Sequence, residues 1–377
     1  MRLMIAAGGT GGHVYPALAA AEAVLDESPG AHLHFVDSVG DFARPLVEEA
    51  QIQFETFDQV RAGPLNGVSL VRRINSVFQL VAGTIQAWRL IGRYRPQTLL
   101  LTGGWVGFPV ALAAWLRRVP ALIYLPDVEP GLAIKRLEPL TRRVAVTVKD
   151  SKQFVPEQKM IVTGYPIRKQ MRAATRPAGI AHFQLEAIRK TLLVFGGSRG
   201  ARTINQALIK ILPELLAGSV QVIHVTGTLD WDSLQSQLAA LNLPLDHYHA
   251  FPYLHSEMGL AMAAADLCIC RAGASTLGEL PYFGLPSILV PYPFAWRYQK
   301  TNADWLAERG AALVMRDEDM NAQLLSEINA LINGDARLNS MRAAAFALAQ
   351  PDGAASPDGA RNLAEELLQL AEARSKA

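Results

Sequence analysis

Four glycine-bearing stretches hold the residues whose types and spacing could do chemistry. Gly8-Gly9-Thr10-Gly11-Gly12-His13 and Gly196-Gly197-Ser198-Arg199-Gly200 each follow a short apolar run and precede a helical pattern. Consecutive glycines let backbone N–H groups close on an anion, and the N-terminus of the following helix adds a favourable dipole. A diphosphate is the natural guest of such a loop. Thr102-Gly103-Gly104-Trp105 would add backbone donors and an aromatic wall to the same cleft. The fourth stretch runs Arg271-Ala272-Gly273-Ala274-Ser275-Thr276-Leu277-Gly278-Glu279. A helix starting near Ala274 puts the Glu279 carboxylate about one turn in, where it can accept from both hydroxyls of a ribose diol. An exposed helix glutamate is the plainer reading of the same residue.

Several chemistries do not fit these residues. Neither long glycine loop reads G-x-G-x-x-G in the register of a dinucleotide oxidoreductase, and Asp37 is not a diagnostic acidic partner. Neither ends in the Gly-Lys-Ser/Thr of a P-loop. Asp230-Trp231-Asp232 has the D-x-D form that some transferases use for a divalent cation, but it runs into Ser233-Leu234-Gln235 and reads as a helix cap. The histidines other than His13 show no ligand spacing with carboxylates, so no metal and no cofactor is expected. Cys268 and Cys270 lie two apart, unlike a chelating C-x-x-C pair, and read as reduced core residues.

The elements that must position these loops follow from the apolar pattern. Short apolar runs at residues 3–7, 33–37, 98–102, 121–124, 191–195, 220–225, 267–270 and 287–290 alternate with helical patterns. That alternation predicts an α/β fold of doubly wound parallel sheets. A chain of 377 residues exceeds one growing core. The repetition of strand and glycine loop about half a chain apart predicts two Rossmann-like domains facing a central cleft. Their expected spans are 1–163 and 164–348, with 349–377 a turn-rich linker and a last helix over residues 361–373, placed to pack back on the first domain. Pro16 falls in the early part of the first helix, where a missing N–H is tolerated.

Net charge is +2, which gives no argument for nucleic acid as a partner. Its distribution says more. From residue 60 to 125 there is no Asp or Glu, whereas Arg61, Arg72, Arg73, Arg89, Arg93, Arg95, Arg117 and Arg118 all lie there beside apolar residues such as Ile74, Phe78, Ile85 and Trp88. Arginines flanking an apolar helix face suit a peripheral contact with anionic lipid; a buried helix with a solvated basic flank is the plainer reading. No apolar run is long enough to span a bilayer, and the N-terminus reads as a first strand, not a signal peptide.

Taken together, these motifs resemble the MurG family of glycosyltransferase family 28, and the resemblance spans nearly the whole chain. Gly8 to Ala17 is similar to the family's N-terminal signature, and Gly196 to Arg202 with Asn205 to its second. Gly164-Tyr165-Pro166-Ile167-Arg168 resembles the segment crossing between domains, Arg271 to Glu279 the donor loop, and Pro291 to Asn302, with Gln299, the sugar-reading segment. The resemblance implies a GT-B arrangement and transfer of N-acetylglucosamine from UDP-N-acetylglucosamine to a lipid-diphosphate-linked muramyl peptide. It implies a cytoplasmic enzyme, peripheral on the inner face of the cell membrane. Its implied donor ligands are Thr10, Gly11, Gly12, Arg168, Ser198, Asn205, Leu254, Ala274, Ser275, Thr276, Leu277, Gly278, Glu279 and Gln299, with Leu254 at the uracil. Its implied acceptor contacts are Thr10, Gly11, Gly12, His13, Gly103, Gly104 and Trp105.

This sequence departs from the family where the acceptor would bind. The usual His-Glu-Gln-Asn is Tyr124-Leu125-Pro126-Asp127 here, and the usual Asn after it is Ile134. An inverting transfer needs a base and an anion cradle. His13 could take the acceptor proton, stabilise its diphosphate, or merely cap the loop. Asp127 could be the base or a turn residue between Pro126 and Pro130. A related transferase with another lipid or glycan acceptor, and a non-catalytic UDP-sugar-binding protein, are the competing readings.

Overall fold

A computed structural model describes residues 1–9, 11–40, 43–64, 69–197, 200–350 and 356–376. The chain divides into two compact units, Met1–Arg168 with Ser356–Ala377, and Lys169–Ala355. The first holds β1 (Arg2–Ala6), β2 (His32–Ser38), β3 (Thr56–Val60), β4 (Thr98–Leu101), β5 (Ala121–Leu125), β6 (Arg143–Val146) and β7 (Met160–Val162). They form one seven-stranded sheet in the order β3-β2-β1-β4-β5-β6-β7. The second holds β8 (Lys190–Phe195), β9 (Val220–Val225), β10 (Tyr248–Phe251), β11 (Leu267–Cys270), β12 (Ser287–Leu289) and β13 (Ala312–Val314), ordered β10-β9-β8-β11-β12-β13. Each unit is thus doubly wound, with every strand pair parallel.

Central strands are apolar on both faces because helices cover both: β4 and β5 are buried throughout. Five strands, β3, β6, β7, β10 and β13, lie outside the apolar runs. They are short or polar, as in Thr56-Phe57-Asp58-Gln59-Val60, and sheet pairing overrides their weak local signal. The helix Gly11–Glu27 begins directly at the glycine loop, earlier than its apolar pattern indicates. Pro16 is therefore inside it, and the Gly12 carbonyl loses its helical donor.

The last helix, Gly359–Lys376, belongs to the first unit, where it packs on the helix Gly11–Glu27 and on β4. Its side chains are tied to that unit's backbone and loops: Asn362 Nδ2 donates to Thr163 O at 2.9 Å, Gln97 Nε2 donates to Ser375 Oγ at 2.7 Å, and Arg374 donates to Pro96 O.

In the second unit a buried polar chain crosses the apolar core beneath β8, β9 and β10. Asn205 Nδ2 donates to Thr226 O at 2.9 Å and to Asp230 Oδ2 at 3.0 Å, so its Oδ1 must accept from His224 Nε2 at 3.0 Å. His224 Nδ1 is then the acceptor for the Tyr248 hydroxyl at 2.7 Å. Asp230 does sit at the N-cap of the helix Trp231–Leu241, but its side chain makes no capping bond; the carboxylate is held by Asn205.

Burial pushes the His224 pKa down to about 3, so the folded protein keeps a neutral imidazole that the unfolded chain protonates below about pH 6.5. This contribution to stability is complete above pH 6.5 and declines as pH falls from there towards 3. We expect His224→Gln, which cannot titrate, to be less stable at pH 7 but to lose stability on acidification less steeply, by about 1.4 kcal/mol per pH unit between pH 6.5 and 4.5. Urea unfolding at a series of pH values checks this, and parallel profiles for the two proteins would contradict it.

Candidate functional site

In a doubly wound sheet, neighbouring strands whose crossovers leave in opposite directions leave a crevice at their carboxyl ends. In the first unit those strands are β1 and β4, with Ala6 opposite Leu101, so the loops carrying Gly8 and Gly104 emerge side by side. Gly104 has φ +84°, and a Cβ there would lie 2.7 Å from the Gly8 carbonyl oxygen; Gly103 has φ +137°, and its Cβ would lie 2.5 Å from the His13 ring. Only glycine permits this approach. His13 Nδ1 is 3.1 Å from Gly8 O. A carbonyl can only accept, so Nδ1 carries the proton and Nε2 keeps the lone pair. Gly11 and Gly12 open the helix beside it, Trp105 is 43% exposed, and Thr10 lies outside the described residues.

Arg168 ends the first of the two segments that make up this unit. Its guanidinium stacks 4.0 Å over the ring of Tyr15, which places a permanent cation on the helix that carries His13.

Asp127 follows β5 and is half-buried. Tyr124 is wholly buried: its hydroxyl lies 2.6 Å from Thr147 Oγ1 and donates to Gly164 O at 3.4 Å. Burial pushes this phenol well up, and the Asp127 charge adds to the shift. Tyr124 therefore packs under the 163–165 segment and presents nothing to a ligand. The loop above it is pinned by Thr147 Oγ1 to Pro126 O at 2.8 Å, by Ser151 Oγ to Val128 O at 2.9 Å and by the buried Glu129 with Lys135 at 3.2 Å. Ile134 packs on the apolar core.

In the second unit the paired strands are β8 and β11, with Phe195 opposite Cys270. A Cβ on Gly196 would overlap the Ala201 amide, so the loop folds tightly back on the helix Arg202–Ala217; Ser198 is outside the described residues. All three hydrogen bonds of the Asn205 side chain are internal, so this residue shapes the loop instead of lining it. Beyond β11, residues Ala274–Leu277 form a 3-10 turn and Glu279–Tyr282 a separate short helix. That differs from one helix running from Ala274. Thr276 and Leu277 are buried, and Thr276 Oγ1 donates to Gly273 O at 2.7 Å. What this turn can offer a ligand is its backbone N–H groups at Ala274 and Ser275, which have no carbonyl one turn back. Glu279 is half-buried at the first position of its helix.

The helix Trp296–Glu308 packs against the 3-10 turn. Its Asn302, fully buried, donates from Nδ2 to Ala272 O at 3.2 Å, and its Gln299 accepts from Tyr292 N at 2.8 Å through Oε1. With its Oε1 engaged, the Gln299 amide NH2 is the donor it can offer a ligand. Leu254 is buried just past β10. Three residues to which the sequence reading gave no role organise these loops: Tyr124, Asn302 and Asp317, the last of which holds Arg271. Nothing in a single sequence marks a buried polar residue as distinct from an exposed one. Among the described residues no group of three or more His, Cys, Asp and Glu is arranged to hold a metal ion.

A second surface is the helix Leu70–Tyr94. Ser76, Leu80, Ala87 and Ile91 are buried against the first unit, where this helix packs on Gly107–Leu116. Ile74, Phe78, Val81, Ile85 and Trp88 recur at helical spacing on another face and are exposed, Phe78 by 70%. Trp115 and Leu116 extend the strip, and Arg117 stacks 3.8 Å over the Trp88 ring. The exposed Arg72, Arg73, Arg89 and Arg93 flank it. No helix among the described residues is long and apolar enough to cross a membrane.

Residues 3–146 match the Glycosyltransferase family 28 N-terminal domain, and residues 191–356 the Glycosyltransferase family 28 C-terminal domain. A protein of a Roseiflexus species is 39% identical over 94% of this chain and 93% of its own length. One of Desulforudis audaxviator is 38% identical over 93% of this chain and 95% of its own. Both are named UDP-N-acetylglucosamine–N-acetylmuramyl-(pentapeptide) pyrophosphoryl-undecaprenol N-acetylglucosamine transferase. Among solved structures, Acinetobacter baumannii MurG aligns with a TM-score of 0.72 at 24% identity, over 98% of this chain and 99% of that one; this similarity is one of fold.

Because the Gly103 backbone touches the His13 ring at a positive φ, Gly103→Ala should lower stability by about 1–3 kcal/mol and displace the imidazole. Thermal unfolding with NMR of the His13 ring reads both effects. An unmoved ring signal at unchanged stability would show that the two loops are not in this contact.

Proposed function

The chain belongs to the MurG family of glycosyltransferase family 28, and on that premise we propose how it moves N-acetylglucosamine from UDP-N-acetylglucosamine to the undecaprenyl-diphosphate-linked muramyl peptide. The observation that carries the reading is the pairing of glycine loops at the switch point of each sheet, two in the first unit and two in the second.

The second unit's loops are assigned to the donor. Within the stretch Ala274 to Gly278 the backbone N–H groups of Ala274 and Ser275 are assigned to the diphosphate, since those of Thr276 and Gly278 are bonded inside the turn; Ser198 is assigned beside them, and Arg168 adds a cation. Glu279 accepts from the ribose hydroxyls, the Gln299 amide reads the sugar hydroxyls, and Leu254 lies against the uracil. The first unit's loops, residues 10–13 and 103–105, are assigned to the acceptor. An acceptor hydroxyl attacks the anomeric carbon as the bond from that carbon to the UDP oxygen breaks, through an oxocarbenium-like state with inversion. The hydroxyl proton goes to a base. His13 is the first choice, because its Nδ1 is committed to Gly8 O and its Nε2 can receive a proton; Asp127 is the second. Charge on the departing UDP is offset by the donor loops and Arg168, so the scheme uses no metal and no cofactor.

The replacement of the family's acceptor segment by residues 124–127 is the specific observation favouring a related lipid or glycan acceptor. Purified protein with UDP-N-acetylglucosamine and the muramyl-peptide lipid should release UDP only when the lipid is present. Nucleotide binding without turnover would make the chain a sugar-nucleotide-binding protein instead.

Glu279→Ala should weaken UDP binding by about 1.5–3 kcal/mol, the loss of a hydrogen bond to a charged group, with folding unaffected. Calorimetric titration tests it, and unchanged affinity would remove Glu279 from the site.

The exposed strip on the helix Leu70–Tyr94 is assigned to the anionic inner face of the cell membrane, where a lipid-linked acceptor resides. Its apolar side chains can enter the acyl boundary, and each arginine near the surface contributes about 1 kcal/mol. Binding to anionic vesicles should fall as salt rises, and should fall further in the Arg72→Glu, Arg73→Glu, Arg89→Glu variant. Equal co-sedimentation with neutral and anionic vesicles, indifferent to salt and to the three reversals, would defeat this assignment.

A further inference from the structure

Arg271, the residue after β11, is 8% exposed and lies at the meeting point of four chain segments. Its fork takes both carboxylate oxygens of Asp317, with Nη1 at 2.6 Å from Oδ1 and Nη2 at 3.3 Å from Oδ2. Nη1 also donates to Val290 O at 3.1 Å, just past β12, and Nη2 donates to Thr203 Oγ1 at 2.7 Å, in the first turn of the helix Arg202–Ala217. The Thr203 hydroxyl donates in turn to Asp317 Oδ1 at 3.0 Å, closing a ring of three side chains. Asp317 itself follows β13 in the short 3-10 turn Asp317–Asp319. All four segments leave the same carboxyl edge of the second sheet, and Asp317 belongs to no glycine loop.

A buried ion pair is a weak source of stability, because desolvating both charges offsets most of their attraction. What it supplies is geometry: a planar guanidinium with five donors admits few arrangements of its partners. We propose that Asp317 is a positioning residue for the nucleotide-sugar: through Arg271 and Thr203 it holds the loop at residues 271–278 in register with residues 200–203, where the second glycine loop enters its helix. This rests on the assignment of those loops to the donor. Without the carboxylate, the Arg271 guanidinium loses two of its bonds and Thr203 loses its acceptor, so the loops can separate. A displacement of about 1 Å between groups that bind one substrate is enough to matter.

The test uses the full chain. Asp317→Asn is isosteric but puts an NH2 or a weaker acceptor against the Arg271 fork. We expect it to raise the donor KM and the Kd for UDP about tenfold with the acceptor KM unchanged, and to lower the melting temperature because Arg271 is left buried without its counter-charge. Thr203→Val, at an exposed position that is safe for folding, should give a smaller loss of the same kind, and Thr203→Ser, which keeps the hydroxyl, should restore wild-type values. The double variant should be no worse than Asp317→Asn alone, since both remove one network. Should Asp317→Asn fail to fold, Thr203→Val decides. Donor and acceptor KM moving together, or no change in the donor KM with Thr203→Val, overturns the proposal. Glu279→Ala is the reference: if it weakens UDP binding while Asp317→Asn and Thr203→Val do not, the positioning role falls and the donor assignment stands. If all three leave UDP affinity unchanged, the donor assignment falls and the proposal with it.

Discussion

Between β1 and β4, and again between β8 and β11, consecutive crossovers leave the sheet in opposite directions. The four glycine stretches of this protein depend on that constraint. A parallel strand cannot turn straight back, so its chain must climb over one face of the sheet. Where two neighbours climb over opposite faces, their carboxyl-end loops stand together at an open crevice. Glycine is then needed on both sides, because the loops approach more closely than side chains allow: Gly104 meets the Gly8 carbonyl, and Gly103 meets the His13 ring. Backbone groups thereby orient His13, with one ring nitrogen on Gly8 O.

Below the loops, buried polar residues do the holding. Tyr124 ties β5 to the 163–165 segment, Asn205 ties the second glycine loop's helix to the turn after β9, and Arg271 gathers the ends of three strands. Each has its donors and acceptors matched inside the fold, as a group removed from water must. Their common effect is to restrict where the loops can stand. A carboxylate such as Glu279, or an amide such as Gln299, can be selective only if its distance from the neighbouring backbone donors is held constant.

The helix Leu70–Tyr94 obeys a different logic. One of its faces packs as an ordinary amphipathic helix does, and a second apolar face, running from Ile74 to Trp88, is exposed among the described residues. Such a strip is unusual on a soluble surface. The absence of Asp and Glu from residue 60 to 125 gives it a uniformly cationic border, which fits a negatively charged partner.

The sequence by itself determined the α/β class, the two repeats of strand and glycine loop, and the identity of the loops that carry chemistry, because apolar runs and consecutive glycines act locally on backbone conformation. It also determined the arginine-rich strip, since charge is counted without coordinates. Only the tertiary structure decided that Asn205 and Tyr124 face inward, that Asp230 is held by Asn205 and makes no side-chain capping bond, and which backbone groups anchor the last helix in the first unit. It alone joined Asp317 to Arg271 and Thr203. Those outcomes turn on partners 20 to 200 positions away in the chain, and a polar side chain looks the same in a sequence whether water or a buried guanidinium satisfies it.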